Sequence, residues 1–498
     1  MKRLIFAVLL FVSGCSSTDY ILQEEIRTDL SRGDTQKALQ TAKSDYYYVD
    51  DASEVVKNLE LGNLYYLNGS YYQALQHFDA AQKKSRELYT QSLLNAVSSA
   101  VTGDRNEDYR GETYEMSLLR FYQSLCHYQL YLTGVYESRT DENGVLIPEK
   151  KLTEAERRKH LRAARAVMLD WDSLLQEYKR EYAGQRVFKQ DMAAKLWGGY
   201  IHEQNRLPED RQIARQLYKD APVVLFRNYN LYPSYNEKFE SFAENFETLH
   251  TLPERQTKKE FVSKTDTAKR LEKYAEDSLK KLTERKRDNV FVLMKTGRIG
   301  QKKAEKVTYV VPWFLLLGSS SDQSFKRFVS TVLPGQIISF EIPYFDMPAA
   351  SGTCSVSFKN KKGKTVAEKQ AVLFEPVSEI SAEDFKARRN QIYAEKAASL
   401  AAKHAAALAA AYLLYDKNDE TTLWIARLSY TAAALAISAS EDADLRYWGT
   451  LPANIWLQSF NLKPATYEMT VSCDNGPAFS ETVKVPAKGS VFKDLNLN

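Results

Sequence analysis

The sequence predicts an α+β protein: a helical array, then an antiparallel β-sandwich-like domain with an inserted helical hairpin. Three observations carry this. From about residue 20 to 285 apolar side chains recur at helical spacing, with few β-branched runs. At Asp288 the pattern gives way to short β-branched or aromatic segments bounded by Gly, Pro and Ser. Inside that second region, ten Ala crowd into the fifteen residues 397–411, a helix whose backbone can sit close to a neighbour. The chain has 498 residues, 44% hydrophobic and 27% charged, which fits folded domains and argues against global disorder or a polytopic membrane protein. With 68 Lys+Arg against 64 Asp+Glu, the net charge of +4 is too small to imply a nucleic-acid partner.

The first element is a leader. Met1-Lys2-Arg3 is basic and Leu4–Val12 is an apolar run of nine residues. As a helix it spans about 13.5 Å, well short of a bilayer core of about 30 Å, so it reads as a secretory signal over residues 1–14 and not a membrane span. It ends in Val12-Ser13-Gly14-Cys15, followed by Ser16-Ser17. This resembles the lipobox of bacterial lipoproteins. The resemblance implies cleavage before Cys15, acylation of its thiol and amine, and, with Ser16 in place of Asp, delivery to the outer membrane. Several acyl chains give the firm anchoring that one chain cannot. No second segment qualifies as a span: Val310–Leu317 is short and holds Pro312, and the Ala-rich stretch is broken by Lys403 and His404.

Residues 15–254 form the helical domain. Its clearest unit is Leu61-Gly62-Asn63-Leu64-Tyr65, then Asn68-Gly69, then Tyr71-Tyr72-Gln73-Ala74, Phe78 and Ala81. Gly62 and Ala74 allow two helices to approach, Tyr65 and Phe78 fill the gap, and Asn68-Gly69 turns the chain. The unit resembles a tetratricopeptide repeat, with weaker echoes at Gly33–Leu39 and Leu196–Tyr218. Such arrays bind peptides or proteins on a concave face, and among the 31 Tyr of the chain, Tyr65, Tyr66, Tyr71 and Tyr72 are the candidate contacts. The competing reading is that they fill the core.

Residues 255–287 carry 12 Lys/Arg against 6 Asp/Glu and read as a basic helical linker. Beyond it, Asn289–Met294, Lys306–Val311, Gln336–Ile342, Thr353–Phe358 and Ala371–Phe374 read as strands. The hairpin occupies about 381–440, opened by a capping-box pattern at Ser381–Asp384 and turning at Asp416–Glu420. Strands resume at Asn454–Leu457, Tyr467–Cys473 and Glu481–Val485. Cys354 and Cys473 fall on the apolar faces of their strands. They form either a disulfide joining the two strand groups or two separate buried thiols. Cys126, in an apolar helical setting, reads as a buried free thiol.

No catalytic constellation emerges. The six His stand apart from one another, from Cys and from carboxylates at zinc-ligand spacing, and HExxH, CxxC, GxSxG, Walker and GxGxxG patterns are absent. The expectation is therefore no cofactor, no metal and no defined enzymatic activity.

Three stretches, Tyr114–Tyr122, Gly198–Glu203 with Leu207–Tyr218, and Ala443-Asp444-Leu445-Arg446-Tyr447-Trp448-Gly449-Thr450-Leu451-Pro452-Ala453, together resemble a family of bacterial lipoproteins with a tetratricopeptide-like N-terminal domain and a β C-terminal domain. The resemblance implies an architecture more than an activity. In the last stretch, Asp444 and Arg446 read as an ion pair positioning the strand after Pro452, with Trp448 buried against helices. The functional expectation is a lipid-anchored, periplasm-facing scaffold or assembly factor with an envelope protein as partner. The alternative is an envelope enzyme, or a glycan- or small-ligand-binding lipoprotein, using an interdomain cleft.

Overall fold

The computed structural model describes residues 15–94, 108–140, 144–181, 188, 190–205, 207–236, 288–310, 321–346, 352–473, 476 and 478–497. The signal sequence, the basic linker and most of the apolar stretch after Val310 lie outside these residues.

Nine helices are described ahead of residue 288: α1 (Cys15–Ser31), α2 (Thr35–Ala42), α3 (Glu54–Leu67), α4 (Tyr71–Leu94), α5 (Thr113–Thr133), α6 (Glu154–Glu181), α7 (Met192–Asn205), α8 (Pro208–Asn228) and the single turn α9 (Pro233–Asn236). Two small ribbons lie between α5 and α6. In one, β1 (Val135–Tyr136) pairs with β4 (Lys150–Lys151); in the other, β2 (Arg139–Thr140) pairs with β3 (Leu146–Ile147). The α3–α4 turn follows from Gly69, whose φ of +76° suits glycine, and from Asn68, whose amide donates to Leu64 O and Thr35 O. Gly62 is needed for packing: a Cβ there would sit 2.5 Å from the Phe78 ring.

The strand-rich half contains two four-stranded sheets. The first has the order β10-β11-β5-β14, from β10 (Val372–Glu375), β11 (Asn454–Phe460), β5 (Val290–Thr296) and β14 (Val491–Leu497). The second has the order β13-β12-β8-β9, from β13 (Phe479–Val485), β12 (Ala465–Cys473), β8 (Cys354–Lys359) and β9 (Thr365–Gln370). Pairing is antiparallel except between β14 and β5, which run parallel. The expectation of a purely antiparallel strand domain is corrected there: β14 returns over the sheet instead of folding back as a hairpin.

Both β5 and β11 are buried along their whole length, because the first sheet is a central layer. One face meets the helices, where Phe291 packs on Tyr200 and Phe492 on Trp197 and Tyr128. The other meets the second sheet, where Phe460 packs edge-on against Phe358. One apolar core runs from Ile26 in α1 to Leu495 in β14. The two large sheets are built from residues after 288, but the core crosses that point.

An arm leaves this body. It is built from the ribbon β6 (Gln301–Val310) and β7 (Ile337–Asp346), α10 (Gln323–Val332), and the hairpin α11 (Val377–Leu413) and α12 (Glu420–Ser440). Helix α11 begins at Val377, ahead of the capping-box pattern, because Val377 and Ile380 are buried in the main core. The arm has two small cores of its own, one joining Phe328 and Val332 of α10 to Ala426 and Tyr430 of α12, the other joining Phe340 and Ile342 of β7 to Leu400 of α11.

Candidate functional site

The loop between α12 and β11 enters the helical layer and is held there through its backbone. Trp448 N–H donates to Glu115 Oε1 at 2.7 Å, Gly449 N–H to Glu60 Oε1 at 2.7 Å and Thr450 N–H to Glu60 Oε2 at 3.2 Å. In return Asn63 Nδ2 donates to Thr450 O at 2.8 Å, and Arg27 donates to Gly449 O at 3.1 Å. The Trp448 ring is fully buried among Phe78 and Tyr122. Gly449 is closely packed: a Cβ would stand 2.7 Å from Gln23 Nε2 and 3.3 Å from Glu60 Oε1, so the Gln23 side chain would have to shift.

Glu60 on α3 and Glu115 on α5 are fully buried. Burial pushes the Glu60 carboxyl up to about 7, opposed by its bonds from Thr450 and Gly449. Burial, then the neighbouring Glu112 charge, pushes Glu115 up to about 7, opposed by donors including Tyr109, whose hydroxyl lies 2.5 Å away. These two side chains were not singled out from sequence. The available signal was a lone carboxylate inside an apolar run, Leu59-Glu60-Leu61 and Tyr114-Glu115-Met116, each on the buried face of its helix.

Asp444 and Arg446 form a bidentate pair at 2.8 and 2.9 Å, and Arg446 Nη1 also donates to Ala52 O at 3.0 Å. The pair thus ties the loop to the start of α3. It also lines a cavity of about 330 Å³ between the helical layer and the base of the arm. Across that cavity Arg388 of α11 donates to Glu112 at 2.5 Å and bridges Asp384 at 3.1 Å, while Lys302 Nζ lies 3.8 Å from Glu112. Glu112 remains below the usual carboxylate range although burial opposes it, because Arg388 and Lys302 face it. Asp444 is likewise held low against burial by Arg446 and Lys302. A second cavity of about 450 Å³ adjoins over α4–α6, lined by Tyr89, Arg120, Asp170 and Tyr178. Cations and carboxylates here are matched in pairs, an arrangement suited to holding surfaces together or to receiving a polar ligand. Asp384 differs from Glu112 and Asp444: burial raises its carboxyl against the pull of Arg388.

The four Tyr do not form one open surface. Tyr65 is buried and stacks on His77, and Tyr66 is buried with its hydroxyl on Asp494 of β14. Tyr71 and Tyr72 are half-buried, against Tyr66 and Tyr136 respectively. Tyr66 thus meets the central sheet through Asp494, and Tyr71 and Tyr72 keep part of their surface open. The Sγ atoms of Cys354 and Cys473 are bonded at 2.05 Å, across directly opposed positions of β8 and β12. Cys126 is a buried free thiol, and Cys15 is the first residue of α1.

Two histidine contacts were invisible in sequence. His127 Nδ1 lies 2.9 Å from His160 Nδ1, and His202 Nδ1 lies 2.7 Å from Asp210, which also pairs with Arg165. The second fastens α7 to α8. Among the described residues, no three His, Cys, Asp or Glu side chains converge as a metal site would require, and no helix is long and apolar enough to cross a membrane. The chain matches no protein-family model, no curated protein and no solved structure.

Proposed function

We propose that this chain is a lipid-anchored envelope protein, tethered through Cys15 to the outer membrane, that acts as a periplasmic scaffold or assembly factor. The observation that carries the reading is the buried 443–453 loop. It fills the inner side of the helical layer and fastens layer and sheets into one body. A tethered body whose helices and sheets are fastened together by this loop suits the holding of a partner better than a reaction cycle. The helical pairs, tetratricopeptide-like in spacing and in the Gly62–Phe78 contact, then offer their outer side to an envelope protein. Crosslinking in intact cells followed by pull-down, with Cys15→Ser as the control, tests this. The expected result is an envelope protein enriched with the native chain and depleted with the variant. No enrichment over the control removes the scaffold reading, and an unmodified Cys15 in mass spectra removes the anchor.

The two adjoining cavities favour one other reading, a polar ligand such as a charged glycan held between Tyr89, Tyr178 and the Glu112–Arg388 pair. Soluble envelope glycans would then raise the melting temperature of the native chain and not of Arg388→Ala.

A further inference from the structure

The arm presents an apolar surface quite unlike the rest of the molecule. On α12 the exposed positions Trp424, Ile425, Leu428, Ala432 and Leu435 follow one apolar helical face, bordered by the half-buried Arg427, whose guanidinium lies 5.6 Å from the Trp424 ring; Leu428 is 71% and Leu435 67% exposed. On α11 every exposed position from Ala397 to Leu414 is Ala or Leu. At the outer end of the ribbon Tyr309, Val310 and Ile337 are exposed as well. Apolar faces this extensive on a folded protein mark a binding surface.

The run of α1 indicates what covers it. Leu30 O accepts from Arg298, Arg27 donates to Ile299 O, and Glu24 accepts from Gln301. Stepping back along α1 toward its N-terminus therefore advances along β6 toward its outer end. Cys15 and the end of the ribbon face the same side of the molecule.

We propose that the arm is a second membrane contact, with the apolar face of α12 lying in the interfacial zone of the bilayer that holds the Cys15 lipid, where the Arg427 guanidinium beside Trp424 meets the headgroups. The orientation rests on the lipid-anchor reading; the contact itself is testable without it. The turn joining the helices carries Asp416, Lys417, Asp419 and Glu420, a net negative tip that resists entry into hydrocarbon, so the hairpin lies side-on. Because apolar area dominates the face and Arg427 is the one cation at its edge among the described residues, its binding depends little on salt or on anionic lipid.

The test is flotation of the unacylated Cys15→Ser chain with vesicles of phosphatidylethanolamine and phosphatidylglycerol. Co-flotation is expected, little changed in about 0.5 M salt, and reduced about tenfold or more when Leu428→Glu and Leu435→Glu are combined. Quenching of Trp424 fluorescence by brominated lipid, absent in Trp424→Phe, reads the contact even if the charged variant misfolds. A chain that stays unbound, or that floats equally with both Glu substitutions while folded, overturns the proposal. So does a dimer in solution that those substitutions dissociate, since the face would then belong to a second copy. Failure of the anchor reading is separate: it appears as an unacylated native N-terminus, whatever the flotation result.

Discussion

Glu60 places a titrating group at the centre of the molecule. An ordinary carboxyl near 4.5 becomes one near 7 in the fold, so between those values the native state holds a proton that the unfolded chain has released. The stability Glu60 contributes is full below about 4.5 and is lost as pH rises through about 7. His77 and His127 act in the opposite sense. Burial lowers them to about 4 and about 3, so they remove stability as pH falls below about 6.5. The clean readout is thus the difference between the native chain and Glu60→Gln in urea unfolding. Relative to the variant, the native chain should gain about 3 kcal/mol between pH 8 and pH 4.5. A difference that is flat with pH refutes the assignment. A second residue-scale case is Lys295, buried on β5 with its ammonium on Asp494 of the parallel strand β14. Burial pulls the Lys295 pKa down, and Asp494 opposes it. Asp494→Asn leaves that cation without its counter-charge and should cost about 3–5 kcal/mol, whereas Lys295→Met combined with Asp494→Leu should recover most of the loss. Equal urea midpoints for the single and double variants would rule out the buried pair as the cause.

The bond between Cys354 and Cys473 spans 119 residues of sequence, enclosing the hairpin, the 443–453 loop and β11. Strands β8 and β12 pair along their length without it, so its effect falls on the unfolded chain. Cys354→Ser combined with Cys473→Ser should lower stability by about 4 kcal/mol while preserving the far-ultraviolet spectrum; no loss of urea midpoint would contradict the loop-closure account. At this same scale one sees how far the sequence could be read. Alternation exposed the inward faces of β8 and β12, and periodicity located the hairpin, because both depend on neighbours in sequence. Helix α10 escaped notice although Asp322 caps it by accepting Ser324 N–H, because it packs on the distant α12 and not on its neighbours in sequence. Strand β9, Thr365–Gln370, alternates with charges and lies partly exposed at a sheet edge. The parallel placement of β14 depends on a partner two hundred residues away in sequence. At the site, Asp444–Arg446 and Trp448 were legible as a compact motif. Glu60, Glu115, Lys295 and Asp494 were not, because a charged residue in a helix or strand is most often solvated, and only tertiary pairing reverses that.

For the whole molecule the question is whether helices and sheets fold together. The main core takes side chains from α1 through β14. The buried carboxylates of α3 and α5 find their donors on a loop more than three hundred residues later. A fragment ending at 287 would expose Trp197, Tyr200 and both carboxylates, and should not fold cooperatively. In the intact chain, far-ultraviolet dichroism and the fluorescence of the buried Trp171, Trp197, Trp448 and Trp456 should report one common urea midpoint. The arm differs, because its two small cores are separate from the main one. Its amides should exchange through local opening at a free energy well below the global value, with α12 and the outer half of α11 losing protection before β5, β11 and α5. Hydrogen exchange read by mass spectrometry resolves these segments. If the helices up to α8 kept their protection after the sheets had lost theirs, the body would be two units joined by a seam, and the 443–453 loop would be a clasp between them. If arm and body instead exchanged together, the hairpin would be part of the global unit. Protection of α12 rising on addition of vesicles would tie the arm to the surface it is proposed to touch.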